Sequence, residues 1–349
     1  EGILAFYDSD RERIIVRGTE MTVGVRVTLV HELTHALQDQ HFGLSLIDDL
    51  GTAGEIFAWR AVVEGDATRI ENTYLASLPG AEQDRYEAEL ARQHGRLDIP
   101  GVPGVLVALS AAPYLLGEAF VAAVEAAAGP QGIDAALLDP PRSENDILDP
   151  WAWLDAREAR PSQVVPPRLG TGERRLEVGE IGALSWYLAL AERIDPNVAL
   201  TAVEGWSGDA FVYYRQGSRS CLRAAYQGAT ARENDEMAAA LAAWARAMPA
   251  EADVRVRRAG ANVELTSCDP GPAASLNLSG KSTELLGLPV ARTYLTAAAV
   301  EAGSPLEVAQ CIAYRLVVGY SLEQLREGSF LGTADFERRR SQVATSCRR

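Results

Sequence analysis

The chain has 349 residues, 47% of them hydrophobic, and a formal net charge of −15 at pH 7. This length allows two or three packed subdomains. The acidic chain has no basic stripe that could hold phosphate groups, which excludes nucleic acid as a partner and disfavours anionic membrane surfaces. Lys281 is the only lysine among the 33 basic residues, a bias that indicates a bacterial source with GC-rich codons.

The N-terminal region predicts a small β-hairpin followed by helices. The β-rich runs "ILAFY" and "RIIVRG" flank the polar turn "DSDRE". The first predicted helix covers residues 23–41, and its apolar stripe consists of Leu29, Leu33, Ala36 and Leu37. The second covers residues 54–77, and its core face consists of Ile56, Trp59, Val63, Ala67, Ile70 and Tyr74. A third, charged helix covers residues 81–94.

The most apolar segment of the chain, residues 102–129, is interrupted by Pro103, Pro113, Glu118 and Glu125. A membrane span needs about 20 mostly apolar residues in a row. We therefore predict core helices here and no integral membrane segment in this chain.

The rest of the chain predicts a second subdomain with its own strands. A proline-punctuated loop is expected at 137–153, a β-rich stretch at 210–226 and a strand pair at 252–268, with helices around them. The segment "GWSGDAF" predicts a turn, made by Gly205 and Gly208 and packed under Trp206, with a functional loop as the alternative. The predicted fold class is α+β and helix-dominated, with a core at 1–158, a linker at 159–173 and an α+β subdomain at 174–349.

Four cysteines lie in the C-terminal subdomain without CxxC spacing: Cys221, Cys268, Cys311 and Cys347. An even count without metal-site spacing predicts two disulfides in an exported protein of the cell envelope or extracellular space. The alternative is four free thiols in a cytosolic protein, and the spacing leaves the pairing open. Because the chain begins with Glu1 and not with Met, a propeptide or another N-terminal segment is expected to precede it.

The segment "VTLVHELTHALQDQHF" places His31 and His35 four residues apart on the first predicted helix. Side chains at this spacing lie one above the other, so two imidazoles can bind one zinc ion. Glu32 projects from the adjacent face and can reach a water molecule on the metal as general base. The alternative is a helix with two polar histidines on a solvent-exposed face.

A catalytic zinc site needs a third protein ligand, and no histidine follows at the short spacing of HExxHxxGxxH. Glu64, in the middle of the second predicted helix, is the candidate ligand. Gly65 beside it costs about 1 kcal/mol in a helix interior relative to alanine, which favours a close approach of the two helices around the metal. The alternative is a solvated carboxylate at Glu64 and a helix end at Gly65.

The segments "HELTHALQDQ" and "EGDA" resemble the HExxH and EGxA elements of gluzincin-type zinc metallopeptidases, including bacterial collagenase peptidase domains. The wider pattern, with "PYLLGEAFV" and "DPPRS", is similar to a group of exported bacterial HExxH proteins. The resemblance implies that Zn²⁺ is bound by His31, His35 and Glu64, that Glu32 is the general base, and that the substrate is a peptide or protein.

The chain also departs from the gluzincin pattern. Many gluzincins have an acidic residue four positions after the ligand glutamate to orient a histidine, whereas this chain has Thr68. Glu71 or Asp66 is expected to take that role. Tyr114 is the candidate donor to the oxyanion, with a core tyrosine as the alternative. The similar bacterial proteins carry His-Pro where this chain has Asp149 followed by proline, which weakens the case for full activity.

The predicted function is hydrolysis of peptide bonds by a zinc-activated water. The strand "RIIVRG" is expected to bind extended substrate by strand addition, with a purely structural hairpin as the alternative. Two other functions use the same residues: a non-catalytic binding protein built on a zinc scaffold, and a zinc hydrolase of a non-peptide amide.

Overall fold

The computed structural model describes residues 4–94, 102–155, 160–274, 282–326 and 328–348. Helices dominate these residues, and two antiparallel sheets accompany them, which confirms the predicted helix-dominated α+β class. The chain forms two compact units: residues 1–102 with 112–141, and residues 103–111 with 142–349. Residues 160–172 contain no helix or strand, and residue 159 lies outside the described part, so the linker at 159–173 stays a prediction.

The first unit begins with the predicted hairpin. Strand β1 (Ala5–Asp8) pairs antiparallel with β2 (Arg13–Val16), and Ala5 lies opposite Val16. A short 3₁₀ turn joins them, and Glu12 closes it in the left-handed backbone region with φ 48°. The hairpin precedes helix α1 (Val23–Phe42), which begins where the Thr22 hydroxyl accepts the backbone N–H of Val25.

The buried face of α1 is not the predicted apolar stripe. Leu33 and Leu37 are 53% and 56% exposed, whereas the buried face includes His31, Glu32 and Gln38. The prediction assumed that apolar side chains turn inward. Polar side chains are stable inside when each has a hydrogen-bond partner, and those of α1 find theirs on neighbouring elements.

Helix α2 (Ala53–Ser77) starts at a capping box formed by Thr52 and Glu55. The prediction of its core face is confirmed for the central residues of the helix, because Trp59, Val63 and Ala67 are buried. The predicted core residues nearer the two helix ends are only partly buried: Ile56, Ile70 and Tyr74. Helix α3 follows at Gly80–His94.

Helix α4 (Gly104–Ala128) runs continuously through Pro113, and α5 (Pro130–Leu138) follows it. Residues 112–128 of α4 belong to the first unit. Among the described residues, α4 is the one helix whose length and composition would allow it to cross a membrane, a property it shares with core helices of soluble proteins. The absence of an integral membrane segment therefore stays a prediction.

From residue 142 the second unit continues with two short helices where the sequence predicted a loop. Helix α6 (Glu144–Leu148) starts at a capping box between Ser143 and Asp146, and α7 (Pro150–Asp155) starts with the proline itself. The loop prediction was wrong at these two helices because Pro150 occupies a first helical position, where proline starts a helix and does not break it, and because Ser143 caps the other helix.

A five-stranded antiparallel sheet with strand order β3-β4-β5-β7-β6 forms the centre of the second unit. The β-rich stretch and the strand pair are confirmed, whereas β3 was not predicted because its exposed residues show no apolar period. The strands are β3 (Glu173–Gly179), β4 (Trp206–Gln216), β5 (Arg219–Gly228), β6 (Arg255–Ala259) and β7 (Asn262–Cys268).

The remaining helices of the second unit extend to the C-terminal end of the described residues, and the last of them share a hydrophobic core of their own. They are α8 (Ala183–Ala191), α9 (Pro196–Glu204), α10 (Ala231–Ala247), α11 (Ser282–Leu285), α12 (Gly287–Glu301), α13 (Leu306–Gly319), α14 (Leu322–Arg326), α15 (Gly328–Leu331) and α16 (Ala334–Cys347).

All four cysteines form disulfides, as predicted. Cys221 pairs with Cys268 between β5 and β7, and Cys311 pairs with Cys347 between α13 and α16. These bonds are consistent with a protein that folds in an oxidising, extracellular environment.

The segment "GWSGDAF" is not the predicted turn. Trp206 starts strand β4, and a bulge lies between Trp206 and Gly208. The buried carboxylate of Asp209 accepts four hydrogen bonds at the start of α8, from the backbone of Ile181 and Gly182 and from the indole N–H groups of Trp186 and Trp206. This segment therefore fixes the N-terminus of a core helix.

A second buried carboxylate at the same helix start makes stability depend on pH. Glu144 accepts the backbone N–H of Leu184 at 2.7 Å, and burial raises its pKa from 4.5 to about 8. The folded state thus holds a proton that the unfolded state releases, so stability is fully present below the unfolded pKa and is lost as pH rises through the folded one. We expect the free energy of unfolding to fall by about 3 kcal/mol more between about pH 5 and pH 8 in the wild type than in Glu144→Gln.

Urea unfolding at several pH values measures this slope. The exposed Glu177→Gln substitution on β3 is the matched control and should leave the wild-type slope unchanged. If the free energy of unfolding changed equally with pH in the wild type and in Glu144→Gln, the raised pKa assigned to Glu144 would be contradicted.

Candidate metal centre

Three side chains from α1 and α2 form a cluster that could bind a metal ion. Ligand atoms of His31, His35 and Glu64 all lie within 4.8 Å of one another. The Glu64 Oε2 atom is 3.1 Å from His31 Nε2 and 3.4 Å from His35 Nε2. Neighbouring ligands on a tetrahedral zinc, with bonds of about 2.0–2.1 Å, are about 3.3 Å apart. The two histidine–glutamate separations therefore fit a single zinc ion.

Glu71 holds the ring of His31 in the orientation that such a site needs. His31 Nδ1 lies 3.0 Å from Glu71 Oε2, one helical turn beyond Thr68. A carboxylate can only accept, so Nδ1 donates to Glu71, and Nε2 is the nitrogen that a metal ion would take when it displaces the proton held between Nε2 and Glu64. The structure thus brings the predicted Glu71 to the histidine.

His35 is oriented by Gln38, a residue that the sequence analysis did not assign to the site. His35 Nδ1 is 2.9 Å from Gln38 Oε1. The Gln38 amide nitrogen donates to the Val63 carbonyl and to Asp66 Oδ2, both at 3.1 Å, which fixes the amide so that its oxygen faces the histidine. His35 therefore also keeps its proton on Nδ1 and directs Nε2 toward Glu64.

Asp66 orients a histidine only indirectly, through Gln38, and not by the direct contact that the sequence predicted. Its carboxylate accepts from Gln38 and, at 2.9 Å, from Arg69, and it orients the amide that in turn holds His35. The signal for Gln38 was present in the sequence, because it lies three residues after His35 on the same face of α1. The prediction considered only carboxylates as partners for the histidines.

We expect Gln38→Leu to lower zinc affinity by about 10–100-fold, because outer-shell partners of metal-binding histidines have effects of this size. The leucine keeps the volume but leaves His35 Nδ1 without its acceptor. Competition with a chelating dye measures the affinity. Gln40→Leu, on the exposed face of the same helix, is the matched control. Equal affinities in both variants would contradict the role of Gln38.

Glu32 lies beside the cluster and is held by the hairpin. Its Oε2 accepts the backbone N–H of Tyr7 in β1 at 2.7 Å. Burial raises the pKa of Glu32, although this hydrogen bond and the charge of His35 lower it. The Tyr7 hydroxyl donates to Asp39 of α1 at 2.9 Å, so one residue of β1 is anchored to the helix at both ends.

Tyr114 lies over the cluster from α4. Its ring is nearly parallel to that of His31, with an interplanar angle of 29° and 6.2 Å between centroids. Burial and the carboxylate of Glu64, to which the hydroxyl is hydrogen-bonded, raise the pKa of Tyr114 to about 12. The hydroxyl therefore stays protonated at neutral pH and can donate. At 43% exposure Tyr114 is not a core tyrosine, which removes that alternative.

The charges of the cluster depend on one another. Burial lowers the pKa of His31, but hydrogen bonds to Glu64 and Glu71 outweigh it and raise the pKa to about 9. Burial raises the pKa of Glu64, but the hydrogen bonds from His31 and His35 lower it to about 2. The carboxylates thus create a strongly cation-attracting position between the helices.

Gly65 makes a close helix contact, but with a different partner from the predicted one. A Cβ atom at Gly65 would lie 2.2 Å from the carbonyl carbon and oxygen of Gly117 in α4, and one at Gly117 would lie 2.0 Å from the carbonyl oxygen of Ala61. The backbones of α2 and α4 touch here, immediately beside Glu64. Gly65 lies within α2 and does not end it.

Strand β2 pairs with β1 on one side, and its role in binding substrate stays a prediction. Asp149 ends α6 and accepts the backbone N–H of Ala152 at 3.1 Å, so this position has a local capping contact.

No protein-family model, curated protein or solved structure matches the chain. The resemblance to gluzincins therefore stays a prediction that rests on the motif residues.

Proposed function

We propose that this protein is a zinc-dependent metallopeptidase that acts outside the cytoplasm. The observation that carries the proposal is the matched orientation of the two histidines. Each of His31 and His35 has Nδ1 bound to an acceptor and Nε2 directed at Glu64. A helix with two solvated histidines would not need two separate acceptors on the far sides of the rings.

Zinc suits this donor set better than the harder cations do. Two imidazole nitrogens and one carboxylate are ligands of catalytic zinc sites, whereas Mg²⁺ and Ca²⁺ prefer oxygen ligands. When bound by His31, His35 and Glu64, zinc would supply Lewis acidity, which makes water nucleophilic near neutral pH and polarises a carbonyl group.

Glu32 and Tyr114 supply the remaining chemistry. In the proposed reaction Glu32 accepts the proton of the attacking water and then delivers it to the leaving nitrogen of the peptide bond. Its raised pKa suits a group that must both take up and release a proton. The Tyr114 hydroxyl donates a hydrogen bond to the carbonyl oxygen as negative charge develops there.

The two disulfides support the extracellular or cell-envelope location within this proposal, because such bonds persist in oxidising compartments. A peptide or protein substrate is the partner that this chemistry implies.

Metal content tests the proposal. Elemental mass spectrometry on untagged protein, purified without added metal or chelator, should find about one zinc per chain, as expected for a three-ligand catalytic site. Glu64→Ala should lose it, whereas Glu87→Ala on the exposed face of α3 should keep it. Zinc retained by Glu64→Ala would place the third ligand elsewhere. A chain without zinc in every version would contradict the proposal and favour a non-catalytic binding protein.

A further inference from the structure

The second unit contains a cavity that the proposed chemistry does not use. It has a volume of about 530 Å³ and lies between one face of the sheet and the helices α8 and α10. This size falls within the range of small-molecule sites in proteins. The residues that shape it are mainly large and apolar: Trp186, Tyr213, Leu222, Leu241, Trp244 and Leu265.

The register of the sheet explains why these side chains share one face. Tyr213 lies opposite Leu222, and Leu222 lies opposite Ser267, so one row of side chains runs across three strands. Because side chains alternate along a strand, every member of this row points to the same side of the sheet. Cys221 and Cys268 pair covalently beside the row and pin β5 to β7. The wall of the cavity is thus fixed before any ligand binds.

The indole groups present apolar surface to the cavity. The N–H of Trp186 donates to Asp209, and the N–H of Trp244 donates to the Ala189 carbonyl at 2.9 Å. Their polar atoms are therefore already used, and only ring carbons are left for a ligand. Water gains few hydrogen bonds in such surroundings, so an apolar molecule that displaces it is favoured.

One end of the cavity differs in chemistry from the rest. Ser220, Ser267 and Asp269 line it there, and Asp269 is the one acidic side chain among the described lining residues. Its backbone N–H donates to the Ser220 carbonyl, and its Oδ1 accepts the backbone N–H of Gly271, both at 2.8 Å. The carboxylate is thus held in place at the edge of an apolar cavity, in a chain of net charge −15.

We propose that this cavity binds a small amphiphile with an apolar body and a cationic head. The apolar body lies between the sheet and the indole rings of Trp186 and Trp244. The cationic head lies at Asp269, where the carboxylate and the neighbouring serine hydroxyls are acceptors.

Decylamine and undecanoate, which share a ten-carbon alkyl tail and differ in the sign of the head, test the proposal on the full chain. Below the concentrations at which they form micelles, calorimetry and tryptophan fluorescence should show saturable binding of one decylamine per chain. Undecanoate should bind roughly two- to fivefold more weakly than decylamine, which is the effect of one exposed ion pair. Ser185→Phe, which fills the cavity from α8, should abolish binding. Ser218→Phe, in the exposed β4–β5 turn, is the matched control and should not.

Asp269→Asn keeps the acceptor for Gly271 and removes the charge, so it should abolish the preference for the amine and leave the fold intact even if Ser185→Phe does not fold. Absence of saturable binding would overturn the proposal. Equal affinity of the wild type for the two ions would overturn the proposal that the ligand has a cationic head. Undiminished binding by a folded Ser185→Phe protein would place the ligand outside this cavity.

Discussion

Glu32→Gln is expected to keep about one zinc per chain and to lower the rate of peptide hydrolysis by about 10²–10⁴-fold, the usual contribution of a general acid–base group. The amide keeps an oxygen that can accept the Tyr7 N–H, so the link to β1 survives. What the variant loses is the ability to take a proton from water and return it to the leaving nitrogen. The large loss of rate therefore comes without loss of metal or fold.

The measurement uses zinc-loaded protein and a mixed peptide library, with cleavage followed by mass spectrometry. Glu20→Gln, on an exposed residue ahead of α1, is the matched control and should cleave at the wild-type rate. Cleavage by Glu32→Gln at the wild-type rate would remove Glu32 from the mechanism. If the zinc-loaded wild type cleaved no peptide, the non-catalytic protein or the hydrolase of a non-peptide amide would become the better hypothesis.

Gly65→Ala is expected to lower the free energy of unfolding by about 2 kcal/mol and to weaken zinc binding. Two effects oppose each other at this position. Alanine stabilises a helix interior by about 1 kcal/mol relative to glycine. The new methyl group would overlap backbone atoms of Gly117, with 2.2 Å to the nearest ones, and overpacking of a rigid contact costs about 1–3 kcal/mol or more. Because neither backbone can turn away, the overlap outweighs the gain.

We expect the new methyl group of Gly65→Ala to push α2 away from α4. This shift would displace Glu64, the neighbour of Gly65, relative to the two histidines. Urea unfolding and chelator competition measure the two consequences. Gly80→Ala is the matched control, since a Cβ atom there meets no atom within 4 Å. If the Gly65→Ala protein were more stable than the wild type, the backbones of α2 and α4 would have to be farther apart than described above.

The prediction for Gln38 follows from the same arrangement of helices. Gln38 bonds the Val63 carbonyl and Asp66 of α2, so α2 supplies both the candidate ligand Glu64 and the groups that orient His35. A displacement of α2 would therefore move the ligand Glu64 and would also disturb the orientation of His35. Gly65→Ala and Gln38→Leu are expected to weaken zinc binding through different contacts, and only the former should lower stability by overpacking.

Several features were determined by the sequence itself because their causes are local. Helix periodicity places His31 and His35 on one face, whatever surrounds the helix. The hairpin at the N-terminus, the long helices around both motifs and the β-rich pairs are all consequences of short-range pattern and turn chemistry. The even number of cysteines and the absence of metal-site spacing predicted that they form disulfides, but did not predict which cysteines pair.

The tertiary structure decided which surfaces meet. Leu33 and Leu37 face outward and the histidines inward because α1 contacts hydrogen-bonding partners on other elements, a preference that hydrophobic periodicity cannot express. The partner of Gly65 is Gly117, which lies on a helix far along the chain, and the sequence holds no signal that joins the two. Pairings between distant residues depend on the packing of whole elements, so only the fold specifies them.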